Sequence, residues 1–519
     1  MDLARLDGVD PLLDEPFVDR DALDVVTDPA TGVSAECRVV GGGFRGTDAR
    51  FRLWFPAPGD YAGRFFHHTY PTLTDEAIDP AHIVFAVTHG AYAVGTNNAG
   101  GLMAAPDGIG AYRVNAAAAR ASRLIAAQVV GGDRPRGYLY GASGGAYQTL
   151  GAMECTTDVW DGAVAMVPGT PNAIPSAQAA QVLGLQVLAD ALPAIADAMA
   201  PGGSGDPYAG LAEEQAGVLR EVTRLGFPLR GWWQHATLNG GSFSAVAPAV
   251  GFLDATYDGD LAHYFRHAVP ADRQRGWEHL RSADGTPLHP QRPLLVGPIL
   301  ARATCGTDLS GRFAGKLIVL GSTLDVEAFP WMADWYRQQA EAVLGADLDD
   351  RFRIWFTENA DHDAPKAPFA EAHVVSYAGS LQQALLDLDR WVADGVLPPA
   401  STQYEIGPDT EIVLPPSAGA RRGVQPIVRL TVDGAERADV TTGATVSLVA
   451  DVEAPTGEVV AVEWDVDGTG AFEAGELHRQ HRYDRPGTYF AGVRVTAQRD
   501  EADPYRRIQN LARVRVVVA

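Results

Sequence analysis

Three side chains in this sequence have the types and order needed to activate a hydroxyl. Each stands just past a stretch patterned as a buried strand. The first is Ser143, in Gly141-Ala142-Ser143-Gly144-Gly145, a G-x-S-x-G turn between the apolar run ending at Tyr140 and the alanine- and leucine-containing segment Ala146 to Met153. A strand that turns abruptly into a helix strains the middle residue, and a Cβ on either flanking glycine would collide with the neighbouring strand or helix. The helix N-terminus beneath such a serine favours negative charge. The second is Asp325, at the end of Lys316-Leu317-Ile318-Val319-Leu320-Gly321-Ser322-Thr323-Leu324. The third is His362, in Asn359-Ala360-Asp361-His362-Asp363, shortly after Phe352-Arg353-Ile354-Trp355-Phe356. A serine hydroxyl is a poor nucleophile near neutral pH unless a base takes its proton, and the imidazolium formed needs a carboxylate beside it. Glu327 and Asp334 compete with Asp325 for the acid, and His373 competes with His362 for the base.

Serine, acid and histidine in that order, each beyond the C-terminal end of a strand, resemble the α/β-hydrolase superfamily over roughly residues 35–397. The resemblance implies Ser143 as nucleophile, His362 as general base and then acid, and Asp325 as the group orienting the imidazole. It also implies an oxyanion hole with one donor at the N–H of Gly144. The other should come from the loop after the earlier strand Gly63–His68, which runs into Thr69-Tyr70-Pro71. Pro71 has no N–H, so Thr69 or Tyr70 is the expected donor. The His-Gly-Gly signature is missing from this loop; His67 and His68 either shape it or are structural. The activity implied is hydrolysis of a carboxylic ester through an acyl-enzyme. The arrangement also resembles tannase and feruloyl-esterase-like enzymes, a subgroup often carrying a disulfide between cysteines next to the serine and histidine. Here Ala142 and Asp363 occupy those places. A serine peptidase or amidase, an acyltransferase or lyase on the same fold, and a non-catalytic binding protein stay open.

These residues need a scaffold, and the pattern supplies one. Residues 33–40 and 51–55 read as edge strands, Ala91 to Asn97 and Ala163 to Val167 as central strands, and Asn115 to Val130 as the helix before the nucleophile strand. Strand–helix alternation predicts a doubly wound, mostly parallel α/β sheet, the α/β-hydrolase fold, in residues 1–169 and 311–400. Almost 150 residues separate the strand after the nucleophile helix from the acid strand, too many for a simple crossover. Residues 170–310 are therefore expected to form a helical cap, with helices over Gln178 to Ala200 and Leu211 to Leu225. Its aromatics (Trp232, Trp233, Phe243, Phe252, Tyr257, Tyr264, Phe265 and Trp277) are read mainly as the cap's own core. The alternative is that some line a pocket for a bulky apolar or aromatic ester, with His68, Trp232, Trp233 and Tyr264 as candidates. His235, His263 and His267 have no metal-ligand spacing.

A helix from about Tyr377 to Ala393 closes the catalytic part, Leu397-Pro398-Pro399-Ala400-Ser401 marks a boundary, and 401–423 is read as a linker. The pattern then changes to short strands, among them Ile427 to Val432 and Ala444 to Ala450. Glu463-Trp464-Asp465-Val466-Asp467-Gly468-Thr469-Gly470, followed by a Pro486-Gly487-Thr488-Tyr489 turn and Ala491 to Val495, resembles a polycystic-kidney-disease (PKD) type immunoglobulin-like domain over residues 424–519. Asp465 and Asp467 could bind calcium, but without a full ligand loop a solvated turn is the expectation.

Composition narrows the partners. The formal charge of −24 argues against nucleic acid and anionic membrane, and two lysines (Lys316 and Lys366) leave arginine as the main cation. Three widely spaced cysteines, Cys37, Cys155 and Cys305, define neither a zinc site nor a disulfide framework and are read as buried reduced thiols. No phosphate-binding glycine loop or dinucleotide fingerprint stands out, so no cofactor and no metal are expected. The expected partner is a small-molecule ester, with self-association, where present, through the cap or the β-sandwich. The N-terminus shows no basic region followed by an apolar run, which points to a cytoplasmic protein unless a secretory segment was trimmed.

Overall fold

The computed structural model describes the chain except residues 2, 72, 74, 99–111, 171–173, 239–281, 285, 287–304 and 408–409, and the side chains of 174–180. Its centre is a nine-stranded sheet in the order β1-β2-β3-β5-β4-β6-β7-β8-β9. The strands are β1 (Pro16–Thr27), β2 (Ser34–Phe44), β3 (Arg50–Phe55), β4 (Arg64–His68), β5 (Ala91–Thr96), β6 (Arg136–Ala142), β7 (Gly162–Met166), β8 (Lys316–Ser322) and β9 (Phe352–Thr357). β5, β4, β6, β7, β8 and β9 pair in parallel, and β1, β2 and β3 join antiparallel at one edge.

Alternation along the strands divides the core in two. Phe65, Tyr92, Leu139 and Leu317 face one side, where α2 (Tyr112–Val129), α3 (Gly144–Cys155) and α7 (Trp331–Leu344) cover them. Phe66, Ala93, Tyr138 and Ile318 face the other, under α1 (Pro80–Thr88) and α8 (Ala378–Asp394). Both faces are dry, so the central strands read as continuous apolar runs. Each fully buried side chain such as Leu139 contributes about 1.5–3 kcal/mol of transfer free energy.

Three elements depart from the sequence reading. β1 was not anticipated. Most of its residues face solvent; Leu23 is 86% exposed and Val25 61% exposed, while Val18 and Val26 pack on the cores near its two ends. The expected single helix over 178–200 is two, α4 (Ile174–Val187) and α5 (Leu192–Met199), bent by 113°. Pro193 sits in the first turn of α5, where its missing N–H is harmless, whereas it could not extend the ladder of α4. The stretch 401–423 is a strap, not a free tether: Thr402 N–H donates to Ile354 O at 2.9 Å, and Glu411 accepts from Leu229 N–H at 2.8 Å. The strap also carries a two-residue hairpin, β10 (Glu405–Ile406) with β11 (Ile412–Val413).

Over the sheet, α5, α6 (Glu213–Leu225) and a 3-10 turn at Leu229–Gln234 share an apolar cluster with Val326, Phe329, Trp331 and Met332. The floor of this cap is thus the segment that follows the acid strand. Phe243, Phe252, Tyr257, His263, Tyr264, Phe265, His267 and Trp277 lie outside the described residues.

The C-terminal part is a β-sandwich. One sheet is β12 (Ile427–Val432), β14 (Thr445–Glu453) and β17 (His478–Arg482). The other is β13 (Arg437–Val440), β19 (Ile508–Val518), β18 (Gly487–Gln498), β15 (Glu458–Asp465) and β16 (Glu473–Ala474). Trp464, Val446, Leu448, Val493 and Val516 fill the space between. Asp465 accepts from Thr469 N–H at 3.0 Å and Gly470 N–H at 2.7 Å, so its carboxylate builds the turn. Cys37 and Cys305 are buried free thiols, whereas Cys155, at the end of α3, is exposed.

Candidate active site

Parallel strands end on one edge of the sheet, and that edge collects the chemistry. Ser143 sits between β6 and α3 with φ 54° and ψ −118°, a left-handed conformation forced on a side chain that ordinarily avoids it. Its N–H donates to Met166 O at 3.0 Å, and its carbonyl accepts from Ala146 N–H at 2.9 Å, locking the turn from both sides. The flanking glycines answer to a specific neighbour. A Cβ on Gly141 or Gly145 would land inside the contact shell of the Thr69 carbonyl oxygen, which belongs to the loop after β4.

That loop is the expected source of the second oxyanion donor. Thr69 is corrected here: its N–H donates to Tyr140 O at 3.0 Å, extending the β4–β6 ladder, and is not free to stabilise an oxyanion. Among the described residues, the N–H groups of Tyr70 and Gly144 have no hydrogen-bond acceptor. The loop is held from below by a buried polar network. Asn115 donates to Thr69 Oγ1 at 3.0 Å, Thr69 hydrogen-bonds Gln148 of α3, and Asn98 donates to Tyr70 O at 2.5 Å. The Tyr70 phenol reaches the Ser143 hydroxyl. Burial, and then the charges of Glu327 and Asp363, raise its pKa, while the serine contact lowers it.

His362 follows β9, and Asp325 follows β8. The imidazole Nδ1 lies 3.0 Å from each carboxylate oxygen of Asp325. Asp325 is buried and also accepts from the N–H groups of Glu327 (2.9 Å) and Ala328 (2.7 Å). Burial alone would lower the His362 pKa; Asp325, reinforced by Glu327 and Asp361, overrides it and holds the imidazole above its ordinary value. The rivals separate cleanly. Glu327 Oε2 stands 3.9 Å from the opposite nitrogen, Nε2. Asp334 is engaged by Arg337, Gln338 and Tyr404. His373 donates to Phe369 O at 2.8 Å and stacks on Trp233, with its pKa lowered to about 4 chiefly by burial.

Asp361 escaped the sequence reading. Its Oδ1 accepts from His362 N–H at 2.7 Å and Val326 N–H at 3.3 Å, and its Oδ2 from Gln234 Nε2 at 2.9 Å. It thereby joins the histidine loop, the acid loop and the cap. Burial, then the charge of Asp325, pushes its pKa up to about 6. The only sequence cue was an acid directly preceding the histidine.

The pocket candidates fare differently. Trp232 is fully buried and stacked on Phe227 at 4.0 Å in the cap core, so it does not line a pocket. Trp233 is half-buried against His373 and Phe369. His68 ends β4, its ring 5.0 Å from that of His82 and 5.3 Å from Tyr140. Tyr264 is outside the described residues. Among the described residues, no cluster of three His, Cys, Asp or Glu side chains could hold a metal ion.

Strand order, the strained serine turn and an acid–histidine pair at the same sheet edge define the α/β-hydrolase fold. No family model and no curated protein matches the chain by sequence. Among solved structures it is similar to feruloyl esterase B from Aspergillus oryzae, at 14% identity and TM-score 0.48, covering 76% of this chain and 91% of that one. Tannin acyl hydrolase from Aspergillus niger is similar at 14% identity and TM-score 0.48, covering 82% and 91%. The PKD1 domain of the Vibrio cholerae metalloprotease PrtV resembles the C-terminal part, at 17% identity and TM-score 0.14, covering 18% of this chain and 98% of that one.

Proposed function

We propose that the protein is a serine hydrolase of carboxylic esters. The observation that carries the reading is the strained Ser143 turn on the same sheet edge as a largely buried imidazole paired at 3.0 Å with Asp325. Ser143 Oγ attacks the ester carbonyl as His362 Nε2 takes its proton. Asp325 fixes the tautomer with Nδ1–H facing the carboxylate and stabilises the imidazolium. The N–H groups of Gly144 and Tyr70 receive the developing oxyanion. His362 then protonates the leaving alcohol, and water activated by the same imidazole releases the acid from Ser143. The Glu327 carboxylate near Nε2 makes this side of the site electronegative, which favours neutral or cationic esters over anionic ones.

The test is labelling with a fluorophosphonate probe, followed by a panel of aryl and alkyl esters with matched amides. One covalent adduct on Ser143, absent in Ser143→Ala, with ester turnover exceeding amide turnover, is the expected outcome. A protein inert to both probe and esters overturns the reading, and faster amide cleavage moves it to an amidase.

A further inference from the structure

The loop that carries His362 is gripped by the C-terminal β-sandwich at Asn359. Asn359 lies three residues before His362, and its backbone is left-handed, with φ 55°. Asparagine tolerates this conformation better than most side chains, at a cost the surroundings must offset. Four segments meet here. The Asn359 N–H donates to Thr323 Oγ1 at 3.1 Å, at the end of the acid strand. Its carbonyl accepts from Val375 N–H at 2.8 Å, closing the far end of the histidine loop. Its Oδ1 accepts from Arg230 of the cap at 3.4 Å. Its Nδ2 donates to two oxygens of β19, Asn510 Oδ1 at 3.1 Å and Leu511 O at 2.9 Å.

The β19 side of this junction is rigid. Asn510 is fully buried, and its own Nδ2 donates to Glu358 at 3.2 Å and Pro426 O at 2.9 Å. Gln425, also buried, clasps residue 358 by both backbone groups, accepting from its N–H at 2.7 Å and donating to its carbonyl at 3.0 Å. Leu511 packs with Ala360 and Val375 in a small buried cluster. The Ala360 carbonyl accepts from Leu324 N–H at 2.9 Å, next to Asp325. An unbroken set of short contacts therefore runs from β19 through Asn359 and Ala360 to the Asp325–His362 pair.

Resting on the hydrolase reading, we infer that Asn359 is a positioning residue and that the β-sandwich is a brace for the catalytic histidine. The partly buried Asn359 amide has both acceptors fixed by β19, one of them on the fully buried Asn510, and an acceptor left unpaired there is costly, so the grip is specific to asparagine. An aspartate would set oxygen against two oxygens. Glycine would keep the left-handed backbone and lose both bonds.

The experiment uses the full chain and compares wild type with Asn359→Gly. Turnover and KM are measured across pH on an ester identified by the panel above, alongside the rate of Ser143 labelling and hydrogen exchange over residues 357–364. Asn359→Gly is expected to lower kcat about 10- to 100-fold with KM within twofold, and to slow labelling in parallel. It should also move the acid limb of the pH profile down, because a loosened imidazole loses part of the Asp325 charge. Leu511→Ala thins the same junction from the sandwich side and should repeat the pattern more weakly; it carries the test should Asn359→Gly fail to fold. Unchanged kcat, or a loss of kcat with the acid limb unmoved, overturns the brace while the hydrolase reading stands. A wild type inert to probe and esters overturns both.

Discussion

The serine side and the histidine side of the site are held rigid by different means. Ser143 is fixed within its own neighbourhood, by a strand and a helix, and the Thr69–Tyr70 loop packed against its turn is held by a network of Asn98, Asn115 and Gln148 from the same half of the sheet. The loop carrying His362 is steadied from outside. Gln234 reaches it from the cap, Asn510 and Leu511 from the sandwich, and Tyr377 donates to the His362 carbonyl at 3.1 Å. Nucleophile and base must both be placed to within a fraction of an ångström. A tight strand–helix turn supplies that placement cheaply, whereas a loop after an edge strand needs other parts of the molecule to lean on it. Damage to the serine side should therefore be local, and damage to the histidine side should be reachable from remote positions.

The largest effect is expected where the histidine side is broken at its centre. Asp325→Asn turns an amide towards Nδ1, favouring the tautomer that cannot accept the serine proton, and turnover should fall roughly 10⁴-fold. The sign of the residual pH profile is fixed by the same contact. Only neutral imidazole is a base, so activity appears as pH rises through the His362 pKa, which Asp325 holds high. Removing that charge lets burial dominate, so the acid limb of the variant should move to lower pH. Stopped-assay rates across pH would check this; a limb that stays in place would mean another group sets it.

On the serine side the matching break is Gly145→Ala. The new Cβ meets the Thr69 carbonyl, a backbone atom pinned between β4 and the buried amides, so the loop bearing Tyr70 must shift. Displacing one oxyanion donor costs about 10²- to 10³-fold in kcat, and overpacking at such a site adds about 1–3 kcal/mol of instability. Steady-state kinetics with a urea midpoint would measure both. Turnover within threefold of wild type would show that the Thr69–Tyr70 loop does not complete the oxyanion hole.

The same contrast explains what could be read in advance. The strand–turn–helix around Ser143, the strand leading to Asp325 and the helix Trp331–Leu344 were legible because apolar period and glycine placement are local signals. Pairing of His362 with Asp325 followed from strand order, which constrains where loops meet. Long-range choices left no such trace. Nothing in the spacing of Asn359 and Asn510, 151 residues apart, marks them as partners. Trp232, read mainly as cap core, stayed a pocket candidate until Phe227 was found stacked on it. Thr69 and Tyr70 were equivalent as donors until pairing with β6 consumed one N–H. β1 stayed hidden because most of its residues are exposed and its apolar residues follow no period, with Val18 and Val26 packing on a core near its ends.

The smallest effect sharpens the comparison through acid stability. The serine side rests on neutral histidines. Asn115 donates both amide hydrogens, to Thr69 and Asn98, so its oxygen accepts the Nε2–H of His67 at 3.0 Å; this bond alone favours the charged ring, and burial outweighs it. Burial lowers the pKa of His67 to about 3 and those of His68 and His82 in the same direction. A histidine whose folded pKa is depressed refuses a proton that the unfolded chain accepts near 6.5. Its contribution to stability is full above that pH and declines as pH falls below it, by roughly 1.4 kcal/mol per pH unit for His67. Carboxylates add a similar trend lower down, so the informative quantity is a difference in slope. His67→Asn, which keeps a donor towards Asn115, should lose stability between pH 6.5 and 5 less steeply than wild type, by about one proton. Urea midpoints at half-unit pH steps would resolve this, and equal slopes would place the acid-sensitive element outside the network under the oxyanion loop.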